Sequence, residues 1–441
     1  MTTSSPSSDR ARPVSGRAVV GTVLLAALAI ALPAAAAPLE TVVRAAIDDF
    51  PTICAAQANR EIGRFRIEEA RARHLPTVDI GAAARVAGET ASTPLPRARL
   101  NLWSFGAIEA AIERESQATA ALEDRTVVSR EDVAFAATQA YLRTLRAAWL
   151  VRVAEANVER HQRLAEDFRQ IASIDVGRRF DLVQALARTQ LVRGQLEDRI
   201  AELEVARQSL ARFYREPLAV PALGLPAIAA LPEAPPSPLD DHPTIAAARR
   251  DVLAAEANAR ALRLQRGPRL DLEAFGGRDP LSRVVLSWPA FDPGLTAAER
   301  GAAAAQAGAE ASLQDVSLQV LEARRQAAAD ATAAARRIAQ AGRQIELATE
   351  LVTVYFEQFR VGRRNLLDLL NAYAELSTGE SALAASRVDQ VLARYRVAYA
   401  DGRIVPLFES SAEPLPLAPP PEPARVPPLA ASPARPPPPA R

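Results

Sequence analysis

The part of this chain from about residue 39 to residue 408 is written twice, and that duplication limits its possible folds more than any other feature. Pro51-Thr52-Ile53 returns as Pro243-Thr244-Ile245. Leu75-Pro76-Thr77-Val78-Asp79-Ile80 returns as Gly267-Pro268-Arg269-Leu270-Asp271-Leu272, with the two prolines 25 residues apart in each copy. Leu102-Trp103-Ser104-Phe105-Gly106 answers to Leu286-Ser287-Trp288 followed by Phe291-Asp292-Pro293-Gly294. Val176-Gly177-Arg178-Arg179 answers to Val361-Gly362-Arg363-Arg364. The offsets drift only from 192 to 185. Four matches in one order indicate a tandem structural repeat.

Within each copy the hydrophobic period changes in the same order. A helix-like segment such as Glu61 to Arg73 ends at a proline. Then residues alternate: Val78, Ile80, Ala82, Ala84 and Val86 share one side of an extended chain, and Leu100 and Leu102 share one side of the next run. Thr90 to Pro96 reads as the turn between them. The second copy alternates at Leu270, Leu272 and Ala274, turns at Gly276 to Pro280, and returns from Arg283 to Trp288. Period two with turn residues between is a hairpin signature.

Ala107 to Ser173 and Leu295 to Arg360 contain no proline, so each predicts a helix of roughly 65 residues, about 100 Å at 1.5 Å per residue. Ile338, Ile345, Val352 and Phe359 step by seven, with Ala341, Ala348 and Tyr355 three behind each step. The first copy repeats this 187 residues earlier, with Val151, Val158, Ala165 and Ala172 on one row and Ala154, His161 and Phe168 on the other. This is an a/d seam, rich enough in alanine for close approach. His161 falls on it and reads as a packed residue. Both helices break at Val-Gly-Arg-Arg, and shorter helices follow, Phe180 to Tyr214 and Asn365 to Tyr399. The shorter partner cannot cover its long helix, so another element must continue the stack.

The flanks divide the chain further. Arg10, Arg12 and Arg17, an apolar run from Ala18 to Leu32, and Ala34-Ala35-Ala36 have the order of a secretory signal peptide. The expected organisation is a signal peptide over 1–36, a first repeat over 37–215, a proline-rich linker over 216–243, a second repeat over 244–408 and a disordered proline-rich tail over 409–441. No cysteine stands at the expected mature start, so a lipid anchor there is not supported.

Composition removes whole classes of chemistry. All 53 basic residues are arginine. Without lysine there is no Walker A loop, pyridoxal Schiff base or kinase ATP lysine. One cysteine, Cys54, allows no intramolecular disulfide, and three scattered histidines predict no metal or cofactor site. A net charge of +1 gives no reason to expect nucleic acid. Beyond the signal segment no apolar run is long enough for a transmembrane helix, so membrane residence would require a closed barrel.

These features together resemble the TolC family of outer-membrane factors, over about residues 39 to 408. The stretch Phe359-Arg360-Val361-Gly362-Arg363-Arg364-Asn365-Leu366-Leu367-Asp368-Leu369-Leu370-Asn371-Ala372 resembles the family's second helical turn. Phe180-Asp181-Leu182-Val183-Gln184-Ala185 resembles the first, and Leu102 to Glu109 resembles the strand-to-helix junction. The resemblance implies a mainly α fold with a membrane β-barrel portion, in an outer membrane. Tandem helical hairpins would form a periplasmic α-barrel, and four strands from each subunit would complete a twelve-stranded barrel in a homotrimer.

It also implies a periplasmic adaptor and an inner-membrane transporter as partners, no enzyme activity and no cofactor. The helical turns would form a periplasmic aperture. By motif, Asp181 and Arg364 match a link between the two helix pairs, and Asp368 matches a constricting acid. Phe359 stands where a tyrosine usually hydrogen-bonds the Asp181 position, and Asn371 where a second acid can sit. A weaker lock and weaker cation selectivity are expected. Phe105 to Glu109 and the missing anchor favour type I protein secretion. The alternatives are a multidrug or small-molecule efflux duct and, in another class, a periplasmic coiled-coil adaptor or rod.

Overall fold

The computed structural model describes residues 38–83, 93–215, 223–227, 237–276, 280–410, 416–420 and 422–424. The predicted signal segment, the tips of both strand hairpins, and parts of the linker and tail lie outside the described residues. Among the described residues no helix is long and apolar enough to cross a membrane.

Each repeat contributes the elements its pattern predicts, with longer entries into them. The first holds α1 (Leu39–Asp49), α2 (Pro51–Ala72), β1 (Thr77–Ala83), β2 (Thr93–Trp103), α3 (Ala107–Ile174) and α4 (Arg179–Ala211). The linker carries a short strand, β3 (Leu225–Pro226). The second repeat holds α5 (Pro243–Leu264), β4 (Arg269–Phe275), β5 (Leu281–Ser287), α6 (Pro293–Arg360), α7 (Leu366–Ala400) and α8 (Ile404–Ser410), and the tail adds β6 (Leu417–Ala418). The repeated prolines Pro51 and Pro243 do not precede their helices; they open them at the first turn. Proline's missing N–H is free of cost there, and its fixed φ suits the helix.

α3 and α6 are each 68 residues, about 100 Å long. The seam of α6 is buried at Val320, Ala327, Ala334, Ala341 and Ala348, a step of seven throughout. The helix that covers it changes along its length. α4 and α7 pack on the halves of α3 and α6 nearest the breaks, while α2 and α5 pack on the other halves. These are the elements that continue the stack.

A waist surrounds the middle of α3. Tyr141, Leu142, Leu145 and Trp149 bury against α1, the end of α7 and α8, where Phe408 stacks on Tyr395 with centroids 5.4 Å apart. The described stretches of the linker and tail also meet here. β3 pairs with β6, and Gly224 N–H donates to the Tyr141 hydroxyl at 2.9 Å. A Cβ on Gly224 would lie 2.4 Å from Leu417 Cδ1, so a larger residue here would push the Leu417 side chain aside. Further on, the Ala424 N–H donates to Glu380 Oε1 at 2.8 Å. The tail binds through backbone groups, which a proline-rich composition does not advertise.

The four repeat strands form one antiparallel sheet in the order β1-β2-β4-β5, leaving β1 and β5 as open edges. β2 runs through Pro94 and Pro96, where a turn was expected. Pro96 lies beyond the last β2–β4 pair, Arg97 with Phe275, so its absent N–H interrupts no ladder there, and its carbonyl accepts from Gly276 N–H at 2.8 Å. The register separates the faces. One face carries Val78 and Ile80 of β1, Ala98, Leu100 and Leu102 of β2, Leu270, Leu272 and Ala274 of β4, and Val284 and Leu286 of β5. Val78 and Ile80 are 69% and 79% exposed. The other face carries Arg97, Arg99, Asn101, Asp271, Glu273 and Arg283, which pair with one another. Trp103, Phe105, Trp288 and Phe291 are all exposed where strands meet helices. An apolar face bounded by an aromatic girdle suits lipid, and the charged face suits a water-filled interior.

Candidate functional site

The ends of the two helical hairpins share a core built from both repeats. Leu164, Phe168 and Ala185 of the first hairpin bury with Val352, Phe356, Phe359, Leu366, Leu369, Leu370 and Tyr373 of the second. This core holds the two breaks side by side and fixes the polar residues around them.

The breaks share a sequence motif and differ in geometry. At the second, Gly362 adopts φ 74°, Gly362 N–H donates to the Phe359 carbonyl at 3.0 Å, and Arg363 N–H donates to the Gln358 carbonyl at 2.9 Å. This is a Schellman ending, and glycine removes the Cβ penalty of the left-handed conformation. Asn365 then caps α7, its Oδ1 accepting from Asp368 N–H at 2.9 Å. At the first break a 3₁₀ turn over Val176–Arg178 replaces the Schellman ending, and Asp175 Oδ1 accepts from Gly177 N–H at 2.9 Å. The upstream residue decides between them: Asp175 offers a side-chain acceptor where the second copy has none.

The five residues singled out by motif fall into two clusters. Arg364 and Asp368 come together on the second hairpin, Nη1 to Oδ2 at 3.3 Å. Arg364 also donates from Nε to Gln358 Oε1 at 3.1 Å and lies 4.4 Å from the Tyr355 ring centroid. Asn371 lies exposed one turn further along α7. Asp181 is held by Arg178 at 3.0 Å, within its own hairpin. Among the described residues no ion pair joins Asp181 to Arg364, so the expected inter-pair salt link is absent in this subunit. Arg364 instead meets Gln358, Tyr355 and Asp368 on its own hairpin.

Phe359 makes the connection instead. It is buried against Phe168 of α3, centroids 5.5 Å apart, and the Arg178 guanidinium lies 5.8 Å from its ring centroid. Asp181, Arg178 and Phe359 therefore form a chain across the two hairpins. Arg178 was not singled out in the sequence, although its position three before Asp181 on a helical start was a readable signal. A phenylalanine cannot hydrogen-bond Asp181, but its face receives the arginine that does.

Farther up the hairpins, α3 and α7 are joined by a buried ion pair. Arg160 donates from Nη1 and Nη2 to the two Glu380 oxygens at 2.8 and 2.5 Å, with side chains 8% and 4% exposed. His161 lies beside it, buried as expected on the seam. Its Nδ1 is 2.9 Å from the Asn157 carbonyl, and burial, with Arg188 and Arg160 adding to it, pushes the imidazole below its ordinary pKa.

With this geometry in hand, comparison with known proteins is direct. Residues 235–403, the second repeat, match the family model described as outer membrane efflux protein. No curated protein sequence matches the chain. Solved outer-membrane channels share the fold, three of them as follows. The outer-membrane channel OprN is 23% identical with a TM-score of 0.71, covering 82% of this chain and 89% of its own. VceC, an outer membrane protein of Vibrio cholerae, is 17% identical with a TM-score of 0.70, covering 83% and 96%. The CmeC outer membrane channel of Campylobacter jejuni is 15% identical with a TM-score of 0.72, covering 82% and 85%. This chain has the fold of these outer-membrane channels, and its second repeat matches the model of the outer membrane efflux protein family.

Proposed function

We propose that this chain is the outer-membrane exit duct of a tripartite export system, working as a homotrimer with a periplasmic adaptor and an inner-membrane transporter. The observation that carries this reading is the sheet. It has an apolar exposed face, a charged face and two unpaired edges. Open edges are not tolerated in lipid, so copies of the chain must close them. Three copies make a twelve-stranded barrel, a size that leaves a lumen. The helical hairpins then extend the duct about 100 Å into the periplasm.

The hairpin ends form the periplasmic aperture in this reading. Asp368 and Asn371 face it from α7, and the chain of Asp181, Arg178 and Phe359 holds it closed. Arg364 lies on Asp368 and tempers its charge, which supports weak cation selectivity. The exposed apolar residues there, among them Ile174, Val176, Phe180 and Val361, suit burial by sister subunits and adaptor tips.

The export of small molecules is the cargo reading we favour over type I secretion. The secretion reading leaned on Phe105 to Glu109 and on the missing anchor, and local geometry accounts for the first of these. Phe105 has φ 55° and packs edge-on against Trp103, centroids 5.5 Å apart. A Cβ on Gly267 would lie 2.4 Å from the Phe105 ring. The stretch is a strand-to-helix corner and needs no cargo to explain it. Deleting the gene should sensitise cells to toxic compounds while the set of secreted proteins stays unchanged. Loss of secreted proteins with unchanged compound resistance would restore the secretion reading.

A further inference from the structure

On the charged face of the sheet, three arginines converge on one carboxylate. Arg99, Glu273 and Arg283 lie in one register row across β2, β4 and β5. Arg97 reaches in from two residues away on β2. Nη2 of Arg97 and of Arg99 each donate to Glu273 Oε1 at 2.8 Å, and Arg283 donates to Oε2 from Nη2 at 2.9 Å and from Nε at 3.2 Å. Arg97 and Arg283 also flank Phe275, each 5.3 Å from its ring centroid. The acid is hidden and the bases are not: the Glu273 side chain is 6% exposed, those of Arg97, Arg99 and Arg283 40%, 51% and 54%.

Asp271 on the same face is engaged by the Asn101 amide at 2.9 Å. Among the described residues of this face Arg97, Arg99, Arg269 and Arg283 oppose Asp79, Asp271 and Glu273. The excess among them is one positive charge per subunit, concentrated at the level of Glu273. What a solute meets at that level is guanidinium.

We propose that this cluster is a selectivity belt in the barrel lumen, favouring anionic solutes, above all those bearing carboxylate or phosphate groups. This rests on the trimeric-duct reading, which turns the charged face inward and repeats the cluster three times around the bore. A ring of guanidiniums in a confined, low-dielectric wall concentrates anions and repels cations. Its forked donors suit planar oxyanions better than a point charge would. Glu273 positions the arginines and keeps them from splaying under mutual repulsion. The duct would then carry opposite signs at its two ends, weakly acidic at Asp368 and basic in the barrel.

Planar-bilayer reversal potentials in a KCl gradient test this with the full-length protein and three variants. The double variant Arg99→Gln with Arg283→Gln keeps the Arg97 partner of Glu273 and should shift the chloride-to-potassium permeability ratio towards potassium, by about two-fold or more. Glu273→Gln should shift it towards chloride. Asp368→Asn serves as the comparator at the other end of the duct. Conducting pores whose ratio moves with Asp368→Asn but with neither barrel change would overturn the belt and leave the duct intact. Absence of any conducting pore in the unaltered protein would overturn the duct reading itself, and the belt with it.

Discussion

Arg178 shows how one side chain can substitute for an interaction the motif has lost. It pairs with Asp181 and covers the Phe359 ring, so both hairpins depend on it. A partly exposed ion pair and a surface cation–π contact are each worth about 1 kcal/mol or less. Arg178→Ala should therefore move a closed-to-open equilibrium by up to about thirtyfold. Single-channel recordings should show higher open probability, with unchanged trimer stability. Glu131 supplies a second residue-scale prediction. It is buried in α3, and its oxygens accept from Ile404 and Val405 N–H at 2.7 and 3.1 Å, tying α8 to the waist. Burial outweighs those bonds and raises its pKa from 4.5 to about 7. The native state then binds the proton more tightly than the unfolded chain, so Glu131 costs stability as pH rises from about 4.5 to 7. The protection factors of the Ile404 and Val405 amides should fall across that window, and Glu131→Gln should flatten the change.

At the scale of elements, α3 and α7 meet through the Arg160–Glu380 pair, and the tail closes over it through Ala424. Removing one partner of a buried pair leaves an uncompensated charge, so Arg160→Met should cost about 3–5 kcal/mol. Adding Glu380→Leu should recover most of that loss in denaturant unfolding of the extracted protein. Ala424→Pro removes the N–H donor and should cost about 1–3 kcal/mol. These contacts also mark the limit of what the sequence discloses. The long helices were legible because seven-residue spacing and the absence of proline over so many residues permit little else. The strands were legible from alternation, but the extent of β2 was not, because Pro94 and Pro96 lie in a stretch that pairs with β1 alone. The tail was opaque for a similar reason: β6 and Ala424 bind through backbone groups that composition does not encode. The motif pointed to Asp181, Phe359, Arg364, Asp368 and Asn371, which lie at the hairpin ends, where their gating role is a proposal. The motif's expected salt link was not found, because Arg364 has nearer partners in Gln358, Tyr355 and Asp368.

For the whole molecule, one constraint outranks the others. A single subunit cannot satisfy its own sheet: Val78, Ile80, Leu102, Val284 and Leu286 lie exposed on one face, and β1 and β5 are unpaired. Water accommodates the edges but not the apolar face; lipid accommodates the face but not the edges. Only closure between copies, inside a membrane, satisfies both. In the proposed duct, the helical barrel, the aperture and the charged lumen would all follow from that closure. The most direct test is the mass and strand count of the protein extracted from membranes, by native mass spectrometry together with electron microscopy of the particle. The account predicts three copies around a twelve-stranded barrel with Val78, Ile80 and Leu286 facing detergent. A monodisperse, water-soluble monomer that keeps its sheet without detergent would contradict it.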